Sequence, residues 1–230
     1  MDKKLDLKDI VLIGRTFDEY YRMFDLANIN VKDEKILDVA SGVSSFCTEA
    51  NYRGYNVTAS DRIYCFSAAE IEEKCIMDLM VVLEQLPDIA DLYKWEFFKD
   101  IEDLKKNRVK AYKLFIKDLK ENGSKRFIYT EYPKNEFVDN EFSISLISHF
   151  LFMYDDKLDY EFHKQTILEI IRITSGEVRI FPIVNLKARK SLLVNQLMND
   201  RDLKNCEITI KKVDYEFVKN GNEMLTIRRK

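Results

Sequence analysis

Two acids and the small residues between them carry the clearest chemistry in this sequence. Asp38 runs directly into Val39 and the small-residue turn Ala40-Ser41-Gly42, and Asp61 stands beyond a second apolar run. Lys35–Val39 reads as a short strand, Ser44–Tyr52 as a helix with Ser44 or Ser45 as its N-cap, and Tyr55–Ser60 as the next strand. This order is half of a nucleotide-binding βαβ unit. Small residues allow backbone N–H groups and a ligand to approach closely, and a helix N-terminus favours electron-rich groups. An acid about twenty residues after the turn can accept hydrogen bonds from two ribose hydroxyls. A turn with a single glycine leaves little room for a pyrophosphate, which disfavours a dinucleotide.

Composition narrows the function classes. A chain of 230 residues suffices for one α/β domain with a full core. Its net charge of −3 and pI near 5.6 disfavour a nucleic-acid partner, because phosphate binding relies on clustered Lys and Arg. Cys47, Cys65, Cys75 and Cys206 form no CxxC pair and show no metal-ligand spacing. They read as reduced thiols of a cytoplasmic protein. No window approaches the roughly 18 apolar residues of a membrane span, and the N-terminal segment is too polar for a secretory signal.

The remaining sequence supplies the elements around this unit. Residues 5–28 read as a helix, with Thr16 and Glu19 spaced for a capping box. Residues 66–122 are helical in pattern, broken at Pro87, with Trp95, Phe97 and Phe98 clustered between the segments. A helix joining two parallel strands usually takes about 10–15 residues, so this stretch is a helical insertion between strands two and three. It is expected to act as a lid or substrate-capping element, or else as a packing or dimerisation element. Gly123 is placed to cap it. Strands follow at 126–130, 142–148, 177–184, 206–213 and 224–228, with helices at 159–174 and 187–200; Leu192, Leu193 and Leu197 of the latter are expected to face inward. Asn220-Gly221-Asn222 signals a hairpin between the last two strands. The fold class is α/β: a doubly wound, mostly parallel seven-stranded sheet in one domain, ending in an antiparallel hairpin.

The segment EKILDVASG through Asp61, with TEYPKNEFVDNEFSISLISHF and EVRIFPI, resembles the class I (Rossmann-like) S-adenosylmethionine-dependent methyltransferases, and in particular a bacterial group with little-defined substrates. Roughly residues 15–64 and 124–230 share in the resemblance. It implies S-adenosylmethionine as cofactor. Asp38, Ala40, Ser41 and Gly42 match the first motif, and Asp61, with Arg62 beside it, the ribose-binding acid. Glu131 and Tyr132 stand where the family binds the adenine amino group. Ser148 and His149 fall in the loop that lines the sulfonium and the substrate. Arg15, Tyr20 and Tyr21 precede the first strand and are candidates for the cofactor carboxylate and its cover.

His149 is the candidate base, since an imidazole titrates near neutrality; a purely pocket-shaping role is the alternative. His163, beside Phe162, reads as a packing or surface residue. Tyr154 and Asp155 could reach the pocket mouth, and Asn185 could touch substrate. Arg179 lies in an otherwise apolar strand, so it must be paired, with Glu169 or Glu177, or else face an anionic substrate. Three functions compete. The first is methyl transfer to a small-molecule acceptor. The second is a non-catalytic protein that binds S-adenosylmethionine or S-adenosylhomocysteine. The third is a protein or peptide methyltransferase that docks its substrate on the insertion.

Overall fold

The computed structural model describes residues 10–230. A seven-stranded sheet runs through it: β1 (Lys35–Val39), β2 (Asn56–Asp61), β3 (Phe127–Tyr129), β4 (Phe142–Ser148), β5 (Thr174–Phe181), β6 (Cys206–Lys212) and β7 (Glu223–Arg229). The spatial order is β3-β2-β1-β4-β5-β7-β6. The first five pair in parallel, while β7 is antiparallel to both β5 and β6. This is the sheet expected from the sequence, including the antiparallel end.

Alternation along the strands divides the core into two layers. Ile36 and Leu146 point to one side, into a cluster with α1 (Phe17–Met23), α2 (Phe46–Tyr52), α3 (Ala68–Gln85) and α4 (Ile101–Asn122). Leu37, Val39, Ile147 and Ile180 point to the other side, against α5 (Tyr160–Ile173) and α6 (Leu192–Met198). Strands buried on both faces have to be apolar throughout, which is why FSISLIS reads as a nearly continuous apolar run.

Local chemistry explains the boundaries. The Thr16–Glu19 capping box forms and starts α1. The helix expected over 5–28 is only α1 within the described residues, followed by single 3-10 turns; residues 5–9 of that expectation lie outside them. Asp25, at φ 48, ends helical geometry after Phe24. β5 begins at Thr174, earlier than expected, and stops at Phe181, before Pro182, whose nitrogen cannot donate to the ladder. Leu197 is buried in α6, but Leu192, expected to face inward, is exposed because it opens that helix right after the Ser191 cap. The β6–β7 connection is not a tight hairpin at Asn220-Gly221-Asn222. It spans 213–222 and carries Tyr215 and Phe217 back into the core.

Candidate functional site

The parallel strands β1 and β4 are neighbours, yet their connections leave in opposite directions, β1 toward β2 and β4 toward β5. A crevice opens at the carboxyl ends of strands at such a switch point. Here that edge carries the Ala40-Ser41-Gly42 turn, the end of β2 at Asp61, and the loop after β4 at His149.

The turn is locked in place from below and from the side. Asp38 is fully buried and accepts from the Ser41 hydroxyl at 2.6 Å and the Tyr20 hydroxyl at 3.0 Å. Burial pushes its carboxyl up to about 7 against the pull of those two hydroxyls, and Asp61 adds to the push. The Gly42 N–H donates to Asp61 Oδ2 at 2.8 Å, and the Ile63 N–H to Oδ1 at 3.0 Å. The Tyr64 hydroxyl donates to the Gly42 carbonyl at 2.9 Å. Each Asp61 oxygen thus spends one acceptor position on the backbone and keeps one. Ala40 takes φ 49 and Gly42 φ 57. The left-handed region costs a residue with a Cβ roughly 1–2 kcal/mol, so the turn holds Ala40 in a conformation that a glycine would adopt freely. A Cβ at Gly42 would meet nothing within 4 Å: it would stand in open space.

That space belongs to a cavity of 860 Å³. Of the residues expected at the site, Arg15, Tyr20, Ala40, Ser41, Gly42, Asp61, Arg62, Glu131, Tyr132, Ser148 and His149 all line it. Asp38 does not; it lies beneath the turn and shapes it. Tyr20 is nearly as deep, stacked on Phe46 at 4.4 Å, with its hydroxyl committed to Asp38. Tyr132 bonds Ser60 Oγ at 2.7 Å, and Tyr21 lies outside the cavity against Phe17. Tyr154 lines the cavity, whereas Asp155 accepts from Asn185 at 3.2 Å away from it. The far wall comes from the β2–β3 connection and from loops: Leu79 and Val82 of α3 and Leu86 just after it, Leu104 and Arg108 of α4, Met153 after β4, and Phe217 from the β6–β7 connection.

His149 sits at φ 51, another left-handed residue on the cavity wall. Its N–H donates to the Phe181 carbonyl at 2.7 Å and its Nδ1 meets Ser148 Oγ at 2.9 Å. Among the described residues Nε2 has no protein partner. Burial, with the nearby charges of Arg15 and Arg108, holds the ring well below the usual histidine range, so it is neutral at physiological pH.

Arg15 is positioned by its own backbone. Its carbonyl accepts from the Ser45 N–H at 2.9 Å and the Ser44 hydroxyl at 2.9 Å at the start of α2. The neighbouring Gly14 has no side chain because a Cβ there would lie 2.3 Å from the Val43 carbonyl oxygen. Arg108 and Glu19 form a buried pair, with guanidinium–carboxylate contacts of 2.7 and 2.8 Å. Glu19 also accepts from the Tyr215 hydroxyl at 2.8 Å and the Thr16 N–H at 2.9 Å, and Arg108 donates to the Gly14 carbonyl at 3.1 Å. Coulomb attraction to Arg108 holds the Glu19 carboxyl below its usual range even though burial alone would raise it. The pair ties α1, α4 and the β6–β7 connection together around the cavity.

Sequence reasoning missed this network, although one signal was present. Leu104, Arg108, Tyr112 and Phe115 fall at helical spacing, so Arg108 occupies an apolar face. The wall residues Phe217 and Val218 had no local signal, since only the sheet topology brings them there. Arg179 is a structural residue as expected, bonded to Glu177 at 2.9 Å and to the Phe24 carbonyl. Arg172 pairs with Glu169 and Asp139. His163 is buried, with Nδ1 on the Asp159 carbonyl at 2.7 Å. Among the described residues no cluster of acids, histidines and cysteines could hold a metal ion, and no helix is long and apolar enough to cross a membrane.

No protein-family model matches the chain. It is 52% identical over 226 residues to the uncharacterized protein MJ0045 of Methanocaldococcus jannaschii, spanning 98% of this chain and 99% of that one. The two proteins belong to one family. That relative is archaeal, whereas the resemblance had pointed to a bacterial group. Among solved structures, the PH0226 protein of Pyrococcus horikoshii OT3 shares the fold, with a TM-score of 0.50 at 13% identity over 93% of this chain and 90% of that one. Magnesium protoporphyrin IX methyltransferase from Synechocystis PCC 6803, solved with bound S-adenosylhomocysteine, gives 0.48 at 11% identity, covering 90% and 79%. A SAM-dependent methyltransferase from Methanosarcina mazei gives 0.46 at 12% identity, covering 90% and 96%.

Proposed function

We propose that this protein is an S-adenosylmethionine-dependent methyltransferase that acts on a small molecule held between the sheet edge and the helices of 66–122. The observation that carries the reading is the lock between Gly42 and Asp61 at the switch point. It leaves one free acceptor position on each carboxylate oxygen and open space over Gly42, which suits a ribose diol and an amino-acid tail passing over the turn. The donor set fits a cationic cofactor too, with Asp61 and Glu131 on the cavity wall and Asp38 behind it.

Bound there, S-adenosylmethionine would supply an electrophilic methyl group on its sulfonium. Asp61 holds the two ribose hydroxyls, and Glu131, exposed at the rim after β3, meets the exocyclic amine of the base. The apolar wall from α3 excludes water and holds the acceptor in line, which is most of what such a displacement requires. His149 presents Nε2 to the acceptor. A neutral imidazole accepts a hydrogen bond and takes a proton only as it is released.

One observation favours the macromolecular reading. α3 exposes Ile76, Met77, Met80 and Val81 in a stripe on its outer side, away from Leu79 and Val82, which line the cavity. The cavity itself argues for the small molecule, since about 300–1,000 Å³ is the range of small-ligand sites. Labelled methyl donor incubated with protein and a lysate, then separated by size, distinguishes the two. Label in the small-molecule fraction supports the proposal, and label confined to polypeptides contradicts it.

A further inference from the structure

The outer face of α3 has the composition of an interior one. Ile76, Met77, Met80 and Val81 are 46, 54, 66 and 44% exposed, while Ile71, Cys75, Leu79 and Val82 on the opposite face are buried. A helix that is apolar all round is ordinarily buried all round. Single exposed apolar side chains are normal, but here four stand together within two turns.

This stripe has charged ends. Glu73, Met77, Met80 and Glu84 follow one another at steps of four, three and four residues, the spacing of a seam through which one helix meets another. Ile76 and Val81 flank the two methionines. Glu73 and Glu84 are exposed, and neither forms an ion pair among the described residues. Their acidic neighbours are engaged: Glu70 with the Ser67 cap at 2.6 Å, Glu72 with Lys120 at 3.8 Å and Asp78 with Lys74 at 3.0 Å. A helical rise of about 1.5 Å per residue sets Glu73 and Glu84 about 16 Å apart along the axis. Residues 68–92 hold seven acids against one lysine, so the whole ridge is negative. A second copy of the chain does not fit it. Antiparallel pairing of two α3 helices sets Glu73 against Glu84, parallel pairing sets each acid against itself, and like charges in contact repel. The outer face of α4 in a second copy offers Lys106, Lys110, Lys113 and Lys117, but no exposed apolar side chain to cover the methionines.

We propose that the outer face of α3 docks a basic amphipathic helix of another protein. The spacing of the seam dictates the partner's pattern: Lys or Arg at two positions eleven residues apart, with apolar side chains four and seven residues after the first. That pattern reads the same in both directions, so it suits a parallel or an antiparallel helix. Methionine side chains adapt to varied apolar surfaces. The apolar contact supplies the affinity, and the two acidic ends set register and choice of partner. The stripe lies across α3 from Leu79 and Val82, which line the cavity. A helix seated there is held outside the cavity, as a bound partner and not as a methyl acceptor, and the proposal stands whether or not the cavity holds S-adenosylmethionine.

The test is fluorescence anisotropy of two labelled peptides titrated with the full chain at low ionic strength. Each peptide is an alanine- and glutamine-based helix of about 18 residues, long enough to be helical, with leucines at the two central seam positions. One carries Lys at the two end positions and the other carries Glu. The Lys peptide is expected to bind about ten-fold or more tightly than the Glu peptide, and the margin should shrink as salt is raised. Met77→Ser combined with Met80→Ser should weaken the Lys peptide about ten-fold, and Glu73→Lys combined with Glu84→Lys should reverse the preference. All four positions are exposed, so an unchanged thermal unfolding profile in both variants separates loss of docking from loss of fold. Equal binding of the two peptides, binding of neither, or Lys-peptide binding untouched by the methionine replacements overturns the proposal. So does self-association of the chain in sedimentation that the methionine replacements abolish, since the face would then belong to a second copy.

Discussion

At the scale of single residues, the site turns on two buried carboxyls with different tasks. Asp61 holds the turn through the Gly42 and Ile63 N–H groups and, in the proposed function, its remaining acceptor positions take the ligand. Asp61→Ala is expected to lower S-adenosylmethionine affinity by more than a hundred-fold in calorimetry. Because it also orphans the N–H groups of Gly42 and Ile63, it should cost about 1–3 kcal/mol of stability as well. Unchanged affinity in a folded variant would remove Asp61 from the site. Asp38 makes a pH prediction. An unfolded aspartate titrates near 3.9, whereas the folded carboxyl is pushed up to about 7. Between those values the folded protein keeps a proton that the unfolded chain releases. Stability from this residue therefore falls as pH rises from about 4 to 7, and is flat below and above that window. Chemical denaturation across this range should show that decline, and Asp38→Asn should flatten it; an identical slope in the variant would contradict the assignment. Both acids were legible in the sequence from their place at strand ends. The division of labour was not, because it depends on the Tyr20 and Ser41 hydroxyls and on depth beneath the turn.

At the scale of elements, the helices of 66–122 are fixed to the rest of the molecule through a buried ion pair. Arg108→Met leaves Glu19 charged and partly unpaired, and is expected to destabilise the protein by about 3–5 kcal/mol in urea unfolding. The double replacement Arg108→Met with Glu19→Gln should recover part of that loss, since no buried charge is then stranded. A single variant as stable as the native chain would show that α4 is held by apolar packing alone. The helical stretch over residues 66–122 was readable from its period. Its attachment was not, because Glu19 reads locally as a capping residue and Tyr215 falls in a loop whose course only the sheet decides. The Asn220-Gly221-Asn222 signal misled for the same reason. It marks a turn, with the Gly221 N–H on the Val218 carbonyl at 2.9 Å, but the strands begin outside it and the intervening chain goes to the cavity wall.

At the scale of the whole molecule, a sheet of order β3-β2-β1-β4-β5-β7-β6 places three loops at one edge, and the long connection from β2 to β3 supplies helices that wall the space above them. The strand periods and the separations between them were enough to anticipate the sheet, because the central strands β1, β4 and β5 carry long buried runs and are bounded by small or polar residues. The cavity's far wall depends on packing between segments distant in sequence, and periodicity carries no information on that. What the wall encloses decides the function. The measurement that bears most directly on it is calorimetric titration of the purified chain with S-adenosylmethionine and S-adenosylhomocysteine, with NAD as the control. Micromolar binding of the first two and none of NAD is the expected result. Binding of neither, by a folded protein, would contradict the central claim that the Gly42–Asp61 lock is a cofactor site.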